Sequence, residues 1–419
     1  MNPSSSARTG IVTWAPVALA LAMIAGATLV PMASGVPGDG IPFWCLGCGD
    51  YALADAVANV ALFVPLGWAL ARTGVPCSSG LAVVLTTTIG VEWLQYAVIP
   101  GRVASVADIL ANTLGGVIGL VLPHLHRWVV ETRRRAVCAS IVYGVLLSAC
   151  LEAGEATQAV LSPGTLDWTR GAADGSHYVP FTGLLREVRV DGVLITFDQW
   201  LDVPPAKGAD IVVALTSGRP DTGLAHVVIA WMPNGRGWLW LEQRDRDLHL
   251  HLASGSDRAR LRGHSLWLRH VMPATAGDPV TVRLVVRRFG YRLVLVTNAG
   301  AVVREARITP GDGWRLFAPG EREWSQWAGV LTAGWMAVLL APLGYLASVR
   351  SGRAVAVATV GASMSLVLMS LGSGGTWLGL AGWCGAVIGL LVGSQSSVVL
   401  RRNGCGAGGR ELLLPRLGE

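Results

Sequence analysis

The sequence predicts an α-helical polytopic membrane protein, with about eight transmembrane helices, into which one all-β domain is inserted. Three observations predict it. The 419-residue chain is 52% hydrophobic and only 14% charged, whereas a soluble globular protein carries roughly 25% charged residues. Its mean hydropathy is +0.49. Long apolar runs occupy both ends of the chain, and every strand signal lies between them.

The spans follow from length. A helix crossing about 30 Å of hydrocarbon needs about 20 apolar residues. Such runs are Ile11–Ala33, Leu53–Ala71, Leu81–Ile99, Ser105–Leu125 and Ala136–Leu151, then Trp327–Val349, Ala354–Leu371 and Trp377–Val399. The fifth is the most polar, with Cys138, Ser140, Tyr143, Ser148 and Cys150. The first exceeds a usual signal-peptide core and Met32-Ala33-Ser34-Gly35 is only a fair cleavage site, so it reads as an uncleaved span.

Charge placement sets orientation. With the N-terminus inside, the inner loops hold Arg72, then His126, Arg127 and Arg133 to Arg135, then Arg350 and Arg353, then Arg401 and Arg402. The short outer loops hold Arg102 and little else. This agrees with the positive-inside rule and predicts a cell-membrane protein with both termini cytoplasmic. The net charge of +6 therefore reads as membrane orientation, with no nucleic-acid partner. The expected organisation is a five-span membrane domain at 1–153, an extracytoplasmic β domain at 154–323, three further spans at 324–400 and a cytoplasmic tail at 401–419.

In the β domain, Val280–Arg288 alternates apolar and polar residues, and Arg292–Thr297 follows across Phe289-Gly290-Tyr291. Trp238–Leu241 and Leu248–Leu252 form another pair, joined by the charged turn Glu242–Asp247; Ile211–Leu215 and His226–Trp231 add two more strands. Short strands at this spacing indicate an antiparallel sandwich. Their order is similar to concanavalin A-like and laminin-G-like jelly rolls, with Asp191-Gly192 and Val193–Phe197 opening the core and Arg292–Arg307 closing it. That resemblance implies a surface for glycan or protein. His249 and His251 share one strand face, with His264 and His270 later. A metal site needs convergent ligands and a third partner, so the expectation is a solvated strand face and no metal.

The sharper signal lies inside the membrane. The second span carries Asp55 and Asn59, the third Glu92, Gln95 and Tyr96, the fourth Asp108 and Asn112. The i, i+4 spacing puts each set on one helix face. A carboxylate at mid-bilayer costs about 2.5–3.5 kcal/mol. Asp55 and Asp108 fall within about 6 Å of the outer helix ends, and Asn59, Glu92 and Asn112 roughly 10–12 Å deep. Arg102, in the Pro100-Gly101-Arg102 turn, is expected to pair with these carboxylates. Gly115, Gly116 and Gly119 read as close helix packing.

These residues form a pattern: Asp55-x3-Asn59-x3-Phe63-x-Pro65-Leu66-Gly67, then Glu92-x2-Gln95, then Pro100-Gly101-Arg102-x2-Ser105-x2-Asp108-x3-Asn112-Thr-Leu-Gly115-Gly116-x2-Gly119. Over about residues 10–125 it resembles the VanZ-like membrane family. The resemblance implies a bacterial cell-envelope protein; the family's namesake is associated with resistance to the glycopeptide antibiotic teicoplanin. The β domain and the later spans depart from the family pattern.

Cys45 and Cys48 stand as Cys-x-x-Cys in the first outer loop. A disulfide or two free thiols are the leading readings; the lack of a βαβ pattern weighs against a redox pair and the lack of a second outer cysteine pair weighs against zinc. The leading functional expectation is binding of a polar lipid or lipid-linked glycan head group by Asp55, Asn59, Glu92, Gln95, Arg102, Asp108 and Asn112, with membrane lipids or a cell-wall polymer as partners. A structural scaffold comes second. An intramembrane enzyme comes third: there is no HExxH, P-loop or evident nucleophile, so no catalytic residue and no cofactor is assigned.

Overall fold

The computed structural model describes residues 4–31, 42–99, 102–162, 164–171, 178–197, 200–202, 208–220, 223–318, 327–348, 361 and 378–407. It divides into two compact units: Met1–Thr132 with Asp257–Arg262, and Arg133–Ser256 with Gly263–Glu419.

The first unit contains α1 (Ser4–Thr28), α2 (Ala52–Arg72), α3 (Cys77–Ala97) and α4 (Val106–Glu131). Leu66, Leu70, Phe63, Val84 and Leu120 form its core together with Val17 and Ile24 of α1. Glycine sets the α2–α4 contact. A Cβ on Gly67 would fall 2.0 Å from the carbonyl oxygen of Gly116, and one on Gly119 would fall 2.2 Å from that of Val64. Small residues let membrane helices approach backbone to backbone.

In the second unit, α5 (Arg133–Gln158) leads into twelve strands: β1 (Thr165–Arg170), β2 (Leu185–Val190), β3 (Val193–Leu194), β4 (Trp200–Asp202), β5 (Ala209–Thr216), β6 (Ala225–Trp231), β7 (Gly237–Arg244), β8 (Asp247–Leu252), β9 (His264–Leu268), β10 (Pro279–Arg287), β11 (Gly290–Thr297) and β12 (Gly300–Arg307). The short α6 (Gly255–Arg258) follows β8, and among the described residues α7 (Ala328–Ser348) and α8 (Leu380–Ala407) come after the strands. The strands form two six-stranded antiparallel sheets, in the orders β4-β1-β6-β7-β8-β9 and β12-β11-β10-β5-β2-β3. Trp168, Leu239 and Leu250 from one sheet share a core with Ile211, Val282 and Leu293 from the other. Alternation explains this: β10 exposes Thr281 and Arg283 and buries Val280, Val282 and Leu284.

Among the described residues five helices are long and apolar enough to cross a membrane: α2, α3, α4, α5 and α7. Trp14–Thr28 and Leu380–Ser396 are shorter apolar helices. The expected span Ala354–Leu371 lies outside the described residues.

Two expectations are corrected. Val193–Phe197 is no core strand: β3 covers only Val193–Leu194, both exposed at a sheet edge, after a turn in which Asp191 and Gly192 adopt φ 49° and 82°. The helix that carries the fifth apolar run, α5, continues beyond Leu151 to Gln158, with Leu147, Leu151, Glu155 and Gln158 buried along it. Glu242 is not in a turn. It lies within β7, 1% exposed, because the β7–β8 turn is the shorter Asp245-Arg246.

Candidate functional site

Close packing of α2 on α4 decides which polar side chains meet. Ser105 caps α4: its hydroxyl oxygen accepts from the Asp108 amide at 3.0 Å and its hydroxyl donates to Asp108 Oδ2 at 3.0 Å. The Ser105 amide donates to Glu92 Oε2 of α3 at 3.0 Å. Asn59 of α2 donates to Asp108 Oδ1 at 2.5 Å. Deeper, Asn112 of α4 donates to Thr88 Oγ1 of α3 at 2.9 Å. These contacts make an acid–amide–hydroxyl seam through three helices, in two hydrogen-bonded groups one turn apart. Glu92 and Asn112 are buried, at 4% and 1% exposure, and Asn112 Oδ1 has no hydrogen-bond partner among the described residues.

Gln95 and Arg102 work elsewhere. Gln95 donates to the Thr28 carbonyl at 3.0 Å, and Arg102 donates to the carbonyls of Ala27 at 3.2 Å and Val30 at 3.4 Å. Both serve the carbonyls at the C-terminal end of α1, which lack intrahelical donors. The expected hydrogen-bonded pairing of Arg102 with the carboxylates is therefore corrected. The free carbonyls of α1 offer its guanidinium immediate acceptors, while Asp108 is already held by Ser105 and Asn59.

Asp55 is also held apart from the seam. It is exposed, and Arg262 donates to its Oδ1 at 2.7 Å while lying 4.8 Å over the Tyr51 ring. The Arg260 carbonyl accepts from the amides of Leu53 and Ala54, at 3.2 and 3.4 Å, which satisfies donors at the start of α2. Sequence reasoning missed Arg262, which stands 207 positions from its partner. It also missed Thr88; no pattern marked a hydroxyl on an apolar helix.

Cys45 and Cys48 form a disulfide in the loop before α2, with a Cα–Cα distance of 5.7 Å. This closes the choice between disulfide and free thiols.

Residues 22–129 match the VanZ/LLP1 family model. The VanZ/LLP1 segment thus runs from within α1 to the end of α4 and contains the whole seam. Together with the apolar helices, it makes this a membrane protein with a VanZ-like domain. The match covers about a quarter of the chain and leaves the β domain outside it. No curated protein and no solved structure matches the chain.

In the second unit, one sheet face carries a separate polar row. Glu242 of β7 meets His249 of β8 (Oε2–Nδ1 2.5 Å) and His226 of β6 (Oε1–Nδ1 2.8 Å). The other nitrogen of His249 is 2.6 Å from Ser265 Oγ, and its ring stacks on Trp267 at 4.4 Å. Burial alone raises the Glu242 pKa, but the hydrogen bonds and positive charge of His226 and His249 outweigh it and lower the value to about 2. The expectation of a solvated face therefore fails for His249, which is 8% exposed. His251 stacks on Trp240 at 5.0 Å; His270 is exposed, and the side chain of His264 lies outside the described residues. Among the described residues no three His, Cys, Asp or Glu side chains are grouped to hold a metal ion.

Proposed function

We propose that this is a bacterial cell-envelope membrane protein whose VanZ-like domain binds the head group of a polar lipid or lipid-linked glycan at the outer leaflet. The seam formed by Asn59, Glu92, Ser105, Asp108 and Asn112 carries this reading. It gathers at the start of α2, the end of α3 and the start of α4, and the basic loops favour placing those ends outside. Buried ionisable groups within membrane helices are costly and serve function more often than stability. The jelly-roll-like β domain, of concanavalin A or laminin-G type in this reading, contacts glycan. Participation in teicoplanin resistance fits the family association.

The seam is rich in acceptors: two carboxylates and the unpartnered Asn112 Oδ1. That composition suits hydroxyl or ammonium donors of a head group. The test uses the full chain in lipid nanodiscs, with an undecaprenyl-linked disaccharide and teicoplanin as probes. Glu92→Ala is expected to weaken binding of the glycan probe at least tenfold. Unchanged affinity in a correctly folded variant overturns the proposal.

One observation favours a scaffold instead. Asn59 and Ser105 both use donors on partners in neighbouring helices, as interhelical glue does. Under that reading Glu92→Gln and Asp108→Asn shift stability alone, by about 0.6 kcal/mol per bond.

A further inference from the structure

The β10–β11 hairpin carries a cleft of about 600 Å³ lined by Arg287, Arg288, Arg292 and Arg307, with Tyr291 and Glu305 among its walls. Four arginines and one carboxylate residue line it. Arg307 Nε lies 3.9 Å from Glu305 Oε1, and Arg288 lies 5.0 Å over the Phe289 ring. Arg287 and Arg292, both exposed, make no side-chain hydrogen bond or ion pair among the described residues. Four cations collected at one hairpin repel one another, so a local anion is the natural complement.

The placement of the cleft says which anion. The Arg288 carbonyl accepts from the Val160 amide at 2.9 Å, two residues beyond the end of α5. The 26 residues of α5 span about 39 Å. Hydrocarbon alone is about 30 Å thick, and about 40–45 Å with the polar layers. A helix whose basic start, Arg133 to Arg135, rests at one interface therefore ends within the opposite head-group layer.

A second observation agrees. After β12 the chain enters a 3-10 turn, Pro310–Leu316, where Trp314 donates to Thr332 Oγ1 of α7 at 3.0 Å. Trp314, Phe317 and Trp335 lie at that end of α7, the rings of Phe317 and Trp335 6.1 Å apart, and Arg315 lies 5.0 Å over Trp314. Such aromatic belts mark the membrane–water interface.

We infer that the arginine cleft binds the phosphodiester head group of an anionic phospholipid. The site belongs to the second unit and stands independently of the seam. Planar guanidinium groups take phosphate oxygens bidentately, and Phe289 supplies apolar wall for the glycerol end.

The full chain, purified in a neutral detergent, is titrated with dihexanoyl phosphatidylglycerol, dihexanoyl phosphatidylcholine and inorganic phosphate. The expected order is phosphatidylglycerol tightest, with phosphatidylcholine and inorganic phosphate each at least tenfold weaker. R287Q/R292Q is expected to lose the phosphatidylglycerol preference, and R287K/R292K, which keeps the charge without the bidentate geometry, to keep part of it, at an unchanged thermal midpoint. If the double variant does not fold, Arg292→Gln alone is expected to weaken phosphatidylglycerol severalfold. Equal binding of the two lipids, or undiminished binding by the folded glutamine variants, overturns the inference. Inorganic phosphate binding as tightly as phosphatidylglycerol overturns the lipid assignment.

Discussion

Gly115→Ala is the sharpest probe of how the seam is built. A Cβ at this position would stand 2.2 Å from the carbonyl oxygen of Val60, 2.9 Å from its carbon and 3.0 Å from its Cα. All three atoms are backbone, so no side-chain rotation relieves the overlap. Carbon–oxygen contacts between helices normally lie at about 3.3–3.6 Å, so α4 must retreat from α2 by about 1 Å. The Asn59–Asp108 hydrogen bond joins the same two helices at 2.5 Å, and that retreat carries it beyond the usual limit of about 3.2 Å. Overpacking costs about 1–3 kcal/mol and a lost interhelical bond about 0.6 kcal/mol, for a total of about 2–4 kcal/mol. The assay is reversible unfolding in mixed detergent micelles. Gly90→Ala is the control, because nothing lies within 4 Å of a Cβ there; it is expected to be neutral or to stabilise by up to about 1 kcal/mol. If Gly115→Ala unfolds at the same point as Gly90→Ala, the close α2–α4 approach is wrong.

Three further outcomes are expected. Glu242 has its pKa lowered from 4.5 to about 2 in the folded state, so its contribution is present above pH 4.5 and is lost as pH falls toward 2; the full shift corresponds to roughly 3 kcal/mol. Amide exchange in β7 and β8, corrected for intrinsic rates, should lose protection over that range, whereas Glu242→Gln should be less protected than wild type at neutral pH. Reduction of the native chain should add two maleimide labels, at Cys45 and Cys48; labelling of both without reductant would refute the disulfide. Tyr143 of α5 donates to the Leu339 carbonyl of α7 at 2.7 Å, so Tyr143→Phe should cost about 1 kcal/mol, read as a lower thermal midpoint of the purified chain.

Much of the fold was legible because periodicity is local. The runs at Leu53–Ala71 and Leu81–Ile99 became α2 and α3 with ends displaced by a few residues, and Arg292–Arg307 became the β11–β12 hairpin. Part of the seam was legible from spacing: Asn59 and Asp108 lie on predicted stripes, and they meet, whereas Thr88 was not foreseen and Asp55, Gln95 and Arg102 bond elsewhere. Partner choice was not legible, because it depends on which chain ends converge. Arg102 sits next to the acidic positions in sequence, yet the unsatisfied carbonyls of α1 take its donors. Asp55 finds Arg262 across 207 positions, a pairing no helical stripe encodes. Glu242 looked like part of a charged turn, because a buried carboxylate between two histidines has no sequence period of its own.

The displaced arginine changes the chemistry expected of the seam. With Arg102 among the carboxylates, phosphate would have been the natural guest. With its donors directed to Ala27 and Val30, Arg102 offers a phosphate near Glu92 and Asp108 no guanidinium hydrogen bond, and the seam's carboxylate and amide oxygens would face phosphate oxygens acceptor to acceptor. Donor-bearing groups, such as sugar hydroxyls or an ammonium, face no such penalty. The proposed seam should therefore discriminate by donor content, and adding a cation there should invert it. Thr88→Lys, one turn from Glu92 on the same face of α3, is expected to weaken glycan binding and admit inorganic phosphate. If it leaves both affinities as they were, the seam is not where the head group sits.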